Sequence, residues 1–404
     1  MKGHDMTDET RISDTWVGDA HATLPSDGYA GTLVGRVWRP DVSGPSPVVV
    51  RADGVVDVSA SFPTVSALCE LPDPGAAARA AGGERIGSLE ELLANTDPDT
   101  RDASRPWLLA PVDLQAVKAA GVTFAVSMIE RVIEERARGD AEVAATVRAQ
   151  IVDRIGDDLG SLAPGSPEAL SVAEYLKAEG LWSQYLEVGI GPDAEIFTKG
   201  QPLSAVGTAT EVGVLSSSTW NNPEPEVVLV VASDGRIVGA TLGNDVNLRD
   251  VEGRSALLLP KAKDNNASCA LGPFVRLFDE SFTLDTIRSE TVTLRIDGTD
   301  GFVLDGSSEM SRISRDPAAI VEQLIGSHHS YPDGAVLMLG TMFAPIDDRD
   351  AVGAGFTHHR GDRVRISAPS LGSLVSRVES SERCEPWTFG ISALMRNLSQ
   401  RSLV

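Results

Sequence analysis

The chain predicts an α+β fold with a large mixed or antiparallel sheet, and two observations carry that expectation. Its helical patterns are gathered into one stretch between about residues 125 and 178, while β-like runs fill the sequence before and after it. Segregated helices argue against a doubly wound sheet, in which helices and strands would alternate. At 404 residues the chain is long enough for one large or two medium domains with a sizeable core.

Taken in order, the leader MKGHDMTDETRISD is charged and lacks the apolar centre of a secretion signal. The first hundred residues then read as short strands, GTLVGRVW (31–38), PVVVR (47–51) and VVDVS (55–59), with a tight turn at Asp53-Gly54. TDPDTRDASRP (96–106) reads as a linker. The expected division is therefore a small β-rich N-terminal domain with its linker, residues 1–105, and a catalytic domain, 106–404. AVSMIERVIEERARGD places Met128, Ile129, Val132 and Ile133 on one helical stripe. Val143, Val147, Ile151 and Ile155 suggest a second helix over 140–156, and 167–178 a third after Pro167. Beyond residue 203 strands dominate: EVVLVVAS, RIVGAT, SALLL, TVTLRI, GFVLD, AVLMLG and RVRISA. No internal repeat or low-complexity tract interrupts them.

Composition narrows the function classes. With 35 basic and 58 acidic residues the net charge is −23, and no basic stripe is visible, which disfavours nucleic acid and anionic membranes as partners. No apolar run approaches the roughly 18 residues that span a bilayer. Cys69, Cys269 and Cys384 are far apart and odd in number, so neither a disulfide framework nor a zinc cluster is expected, and a reducing cytoplasm fits. The sequons at Asn266 and Asn397 carry no weight in such a compartment.

The residues that could carry chemistry lie in NNPEPEVVLVVASDGRIVGATLGNDVNLRD and in KAKDNNASCALGP just after it. Strand alternation turns Glu224 and Glu226 to the same face, and Asp245 supplies a third carboxylate. Glu-x-Glu at a strand start is also common as a solvated face. What favours a ligand role is that Glu226 leads into VVLVV, apolar on both faces, where a carboxylate needs a cation or donor to compensate lost water. Three oxygen ligands favour Mg²⁺ or Mn²⁺, with Ca²⁺ possible, over zinc. The histidines do not offer an alternative centre: His4 and His21 are in the leader, and His328-His329 and His358-His359 are adjacent pairs. Lys263 is either an ordinary exposed lysine or, beside a cation, an ammonium of lowered pKa able to act as a base. Cys269 reads as a buried structural cysteine.

In order and spacing, PEPEVVLVV, GATLGNDVNLRD, LPKAKDNNASCALGPF and YPDGAVLMLGTMFAP resemble the fumarylacetoacetate hydrolase superfamily over residues 106–404. The resemblance implies a mixed β-roll catalytic domain, usually dimeric or a dimer of dimers, and assigns Glu224, Glu226 and Asp245 to Mg²⁺ or Mn²⁺. It places Lys263 near the metal and Gly340 and Thr341 at the substrate carboxylate. Hydrolase members carry Gly-x-Asn-Tyr-x-x-His, whose histidine activates water; here GVTFAVS puts Thr123, Phe124 and Ser127 at the Asn, Tyr and His positions. Serine is no base near neutral pH, so elimination is expected over hydrolysis.

LLAPVDLQAVKAAGVTFA, ERVIEERARGD, LWSQYLEVGIGPDAEIFTKG and STWNNPEPEV are similar to the sugar-acid dehydratase branch. That similarity implies Mg²⁺-dependent dehydration of a 2-keto-3-deoxypentonate to 2,5-dioxopentanoate in oxidative pentose catabolism. The favoured substrate is 2-keto-3-deoxy-D-xylonate, the same compound as 2-keto-3-deoxy-D-arabinonate. An acylpyruvase or diketo-acid hydrolase on the same scaffold is the alternative, and a noncatalytic sugar-acid binder is expected to have lost part of the trio. In the dehydratase reading Lys263 is the base, Glu130 the proton donor, and Ser127 and Arg131 position the substrate; helix capping and a solvated helix face are their structural alternatives. The substrate site further takes in Phe197 and Lys199, in a stretch resembling the relatives' mobile lid, with Gly272, Pro273 and His329. The expected partners are a small sugar acid and further copies of the chain.

Overall fold

The computed structural model describes residues 16–138, 140, 143–144, 146, 162–178, 180, 182–351 and 355–404. In the leading region, β1 (Thr32–Arg39), β2 (Gly44–Arg51), β3 (Gly54–Asp57) and β4 (Glu84–Gly87) form an antiparallel meander. Two short helices, Val65–Cys69 and Pro74–Ala80, join β3 to β4, and a third, Leu89–Ala94, follows β4. Each starts where a side chain takes up a free backbone N–H: Thr64, Asp73 and Ser88, the last in a capping box with Glu91. Next come β5 (Trp107–Leu109), β6 (Ala116–Gly121) and β7 (Glu195–Gly200). The remaining strands are β8 (Thr210–Val214), β9 (Asn221–Asn222), β10 (Pro225–Val231), β11 (Ile237–Asp245), β12 (Asn247–Leu248), β13 (Cys269–Leu277), β14 (Thr291–Asp297), β15 (Val303–Glu309), β16 (Ala335–Met338), β17 (Arg363–Ala368) and β18 (Gly372–Ser380).

One large sheet runs β4-β3-β2-β1-β13-β11-β10-β16-β6-β7, with β5 paired to β1; a second runs β15-β14-β17-β18-β8. The pairs β16/β6 and β18/β8 are parallel, which makes both sheets mixed. β10 explains its own sequence. Val227, Leu229 and Val231 enter the core shared with the second sheet, while Val228 and Val230 enter the core on the opposite face. A strand buried on both faces reads as a continuous apolar run. β1 pairs with β13, so hydrogen bonding crosses the proposed division at residue 105. The segment read as a linker is held by Asn95, whose amide donates to the carbonyls of Asp102, Arg105 and Pro106.

The helical stretch is inserted between β6 and β7, which pair with each other. Ala125–Ala137 and Pro167–Ala178 form as expected, and Gln184–Ile190 follows. Together they enclose a core of their own built on Met128, Val132, Ile133, Ala173 and Leu186. Most of the helix expected over 140–156 lies outside the described residues. One expected strand, SALLL, is instead a 3₁₀ turn (Ala256–Leu258) leading into the helix Leu259–Lys263. Ser255 caps the turn and Pro260, unable to donate to a ladder, opens the helix. Among the described residues no helix is long and apolar enough to cross a membrane.

Candidate active site

Glu224 and Glu226 stand at the start of β10, and Asp245 closes β11, its hydrogen-bonded neighbour, where Pro225 pairs with Asn244. This register brings the three carboxylates together. One oxygen from each lies within 4.8 Å of the others, and all three side chains are buried. The hairpin is locked at this end by Asp245 N–H donating to the Glu224 carbonyl at 3.0 Å and Glu224 N–H donating to Asn244 Oδ1 at 3.0 Å.

The three carboxylates are not equally satisfied. Glu224 accepts from Lys263 Nζ at 2.5 Å and from Thr341 Oγ1 at 2.7 Å, and it is ion-paired with Arg131. Burial alone would push its pKa up; Arg131 and Lys263 outweigh that and hold it at about 2. Asp245 accepts from Lys263 Nζ at 3.0 Å. Lys199 Nζ is 2.7 Å from its other oxygen, off the bonding direction, because the aligned bonds of Lys199 go to the Val246 and Lys263 carbonyls. Among the described residues no cationic side chain forms an ion pair with Glu226. It accepts from the Gly340 N–H at 2.7 Å and, more weakly, from Thr341 Oγ1 at 3.4 Å. Burial, then Asp245 and Glu224 beside it, push its pKa well up. A fully buried carboxyl short of one positive charge, next to two others, is the environment a hard divalent cation completes, so the trio fits such an ion.

Gly340 reaches Glu226 through a backbone that only glycine adopts without strain, at φ +102, and a Cβ there would fall 2.0 Å from Thr123 Oγ1. Thr123 holds the turn by donating to the Leu339 carbonyl at 2.6 Å. Lys263 is charged in this arrangement. Burial opposes the charge, but Asp245, Glu224 and Glu252 outweigh it and raise the pKa. The lowered pKa expected of Lys263 is one that a cation beside it would bring; the carboxylates by themselves act in the opposite direction.

The helix Ala125–Ala137 lays Glu130, Arg131 and Glu134 against the trio. Arg131 bridges Glu134 (2.8 Å), Glu252 (3.2 Å) and Glu224. Arg249, itself buried, pairs with Glu134 at 2.7 Å and Glu130 at 3.0 Å while lying over the Trp220 ring. Glu130 is thereby a paired carboxylate, and Ser127 Oγ donates within its own helical turn to the Phe124 carbonyl at 2.9 Å. No imidazole takes the place where Ser127 stands.

The other expected residues divide. Phe197 faces the site, its ring 5.7 Å from Lys263 Nζ. Lys199 is fully buried, pinned between Asp245 and two carbonyls, and is no part of an open lid. Gly272 and Pro273, joined by a cis peptide, lie within β13, where Gly272 meets Thr208 and Leu374 and not the trio. His329 is exposed, edge-on to Tyr331, with its backbone bonded to Gly326, and is not brought to the trio.

Glu134, Arg249 and Glu252 carry no expectation from the sequence, and neither does Glu195. Glu195 opens β7 on the same face as Phe197 and Lys199 and pairs in register with Gly121. Its carboxyl forms no ion pair or hydrogen bond among the described residues. Burial, then the mixture of charges from Arg131, Lys263, Glu224 and Asp245, leaves its pKa raised. The period-two spacing Glu195, Phe197, Lys199 was a signal that could have found it.

Residues 189–379 match the family model described as fumarylacetoacetate (FAA) hydrolase C-terminal. A 2-dehydro-3-deoxy-D-arabinonate dehydratase of Saccharolobus solfataricus is 32% identical over 192 residues, 47% of this chain; the match spans 60% of that protein's length. A probable 2-keto-3-deoxyxylonate dehydratase of Haloferax volcanii is 28% identical over 308 residues, 74% of this chain and 97% of that protein. A solved 2-keto-3-deoxy-D-arabinonate dehydratase, complexed with magnesium and 2,5-dioxopentanoate, shares the fold at a TM-score of 0.60 and 22% identity, covering 86% of this chain and 99% of the other.

Proposed function

Since residues 189–379 are a fumarylacetoacetate hydrolase-family domain, we propose that this chain is a Mg²⁺-dependent hydro-lyase acting on a 2-keto-3-deoxypentonate. The substrate we favour is 2-keto-3-deoxy-D-xylonate, and the product is 2,5-dioxopentanoate, as in the names and contents of its relatives. The observation that carries the reading is the convergence of three buried carboxylates within 4.8 Å, one of which, Glu226, forms no ion pair among the described residues. Glu224, Glu226 and Asp245 would hold Mg²⁺, with Mn²⁺ a substitute. The ion supplies polarisation of the 2-keto group, which acidifies the C3 protons.

The chain's own groups do the proton work. Lys263, charged, and Thr341 hold the Glu224 carboxylate and face developing negative charge near the ketone. Glu195 is the unpaired carboxyl of raised pKa, and it takes a C3 proton. The C4–O bond breaks, and the same carboxyl returns that proton to the departing hydroxyl as water. Transfer of a proton from C5 to C3 then gives the enol of the terminal aldehyde. This replaces Lys263 as base and Glu130 as acid, since the first is held protonated by two carboxylates and the second is paired with Arg249. Arg131, paired with Glu224, and Phe197, beside Lys263, would contact the substrate. The absence of a base at Ser127 argues against the hydrolase alternative.

Three buried free cysteines suit a reducing compartment, and we assign the enzyme to the cytoplasm as a homodimer or homotetramer. The deciding experiment incubates the purified chain with Mg²⁺ and 2-keto-3-deoxy-D-xylonate and follows aldehyde through an NAD-linked semialdehyde dehydrogenase. Aldehyde formation abolished by a chelator is expected. Pyruvate and a two-carbon fragment in place of the dioxo acid would overturn the reading.

A further inference from the structure

The carboxyl of Glu195 has a mount built on Gly121, the first residue of the GVTFAVS stretch. Opposite it in the β6–β7 ladder stands Gly121. A Cβ at Gly121 would fall 1.9 Å from Glu195 Oε2 and 2.7 Å from its Cδ, so the carboxyl rests in the space that the missing side chain leaves. The backbone of Gly121 is outside the left-handed region, so alanine is admissible there on conformational grounds. The chain entering Glu195 is fastened just as closely. Arg315, a buried guanidinium, donates to the carbonyls of Val188 (3.0 Å), Gly191 (2.6 Å), Pro192 (3.1 Å) and Asp193 (3.3 Å). Gln323 accepts from the Ala194 N–H at 2.6 Å and donates to the Pro192 carbonyl at 3.2 Å.

Among the described residues Arg315 forms no ion pair. Its charge is spent on carbonyls just past the end of the helix Gln184–Ile190, where a cation offsets the partial negative charge of the helix terminus. Burying a guanidinium without a carboxylate is costly unless its donors are used, and here they hold four of the carbonyls between Val188 and Asp193 that lead into Glu195.

We infer that Gly121, Arg315 and Gln323 are positioning residues for Glu195: the glycine makes the seat for its carboxyl, and the other two fix the backbone that delivers it. The inference rests on the proton-transfer role proposed for Glu195, and the tests separate the two. Gly121→Ala displaces the flexible end of one side chain, so the fold survives while the carboxyl moves. The expected result is a kcat lower by about 10- to 100-fold, the scale of a 1 Å misplacement. KM and the Mg²⁺ affinity, titrated calorimetrically without substrate, stay at the wild-type values. In a Glu195→Gln background the same Gly121→Ala change has no further effect on kcat, because it acts only through the carboxyl. Gln323→Ala, which leaves Gly121 and Arg315 intact, gives a smaller loss of the same kind.

A wild-type kcat for Gly121→Ala, or a loss that adds in full to that of Glu195→Gln, overturns the positioning role. Should Glu195→Gln itself retain full turnover, the proton role falls instead. The mount is then judged by a crystal structure of Gly121→Ala, in which an unmoved Glu195 carboxyl refutes it.

Discussion

Glu226 and Glu195 are both partly or wholly removed from water and both hold raised pKa values, yet they call for opposite remedies. Glu226 faces two other carboxylates and suits a cation; Glu195 faces charges of both signs and suits the proton exchange proposed for it. Glu226→Gln is therefore expected to abolish Mg²⁺ binding by isothermal titration and turnover together. Glu195→Gln is expected to keep Mg²⁺ affinity while lowering kcat by about 10²- to 10⁴-fold, the usual worth of a positioned acid–base group. Glu252 offers a pH test. Burial, only partly offset by Arg131, raises its pKa from 4.5 to about 7. A carboxyl that keeps its proton longer when folded contributes stability below the unfolded value, and that contribution is lost as pH climbs through about 7. In urea titrations of the metal-free protein, Glu252→Gln should flatten the fall in stability across that window. An unchanged slope would show that Glu252 does not titrate there.

At the scale of elements, the helix Ala125–Ala137 is fastened to the sheet by charge as well as by apolar packing. Arg249 supports two carboxylates, Glu130 and Glu134, and Glu134 in turn orients Arg131. Removing one partner of a buried pair strands the rest, so Arg249→Met is expected to cost about 3–5 kcal/mol in chemical denaturation. The amphipathic stripe of this helix was legible in the sequence, since Met128, Val132 and Ile133 repeat at helical spacing and do enter a core. Its polar face was not. Arg131 reads as a solvated residue until Glu224, 93 positions away, is placed beside it. SALLL departs from a strand for a local reason: an apolar run of four suits a strand or a helical turn equally well, and Ser255 and Pro260 decide for the turn and helix, which leave Leu257 exposed.

For the molecule as a whole, the trio, Lys263 and Lys199 form a buried charged centre at the end of the β10–β11 hairpin, covered by the helical insertion between β6 and β7. A ligand that binds only the folded state stabilises it by mass action, about 2.7 kcal/mol at a hundredfold excess over Kd. Mg²⁺ should accordingly raise the thermal midpoint in differential scanning, and Glu226→Gln should remove the increment. The sequence by itself determined the α+β character, the metal-binding trio as candidates and the lack of a histidine at Ser127. The first two depend on residue type and on helical or period-two spacing along short stretches, and the third on the resemblance to the Gly-x-Asn-Tyr-x-x-His motif. Only the tertiary structure decided which carboxyl stands without an ion pair beside the trio among the described residues. That outcome depends on the register that sets Glu195 over Gly121 and on arginines drawn from distant segments to pair with Glu130 and Glu224, and neither pairing leaves a periodic trace in the chain.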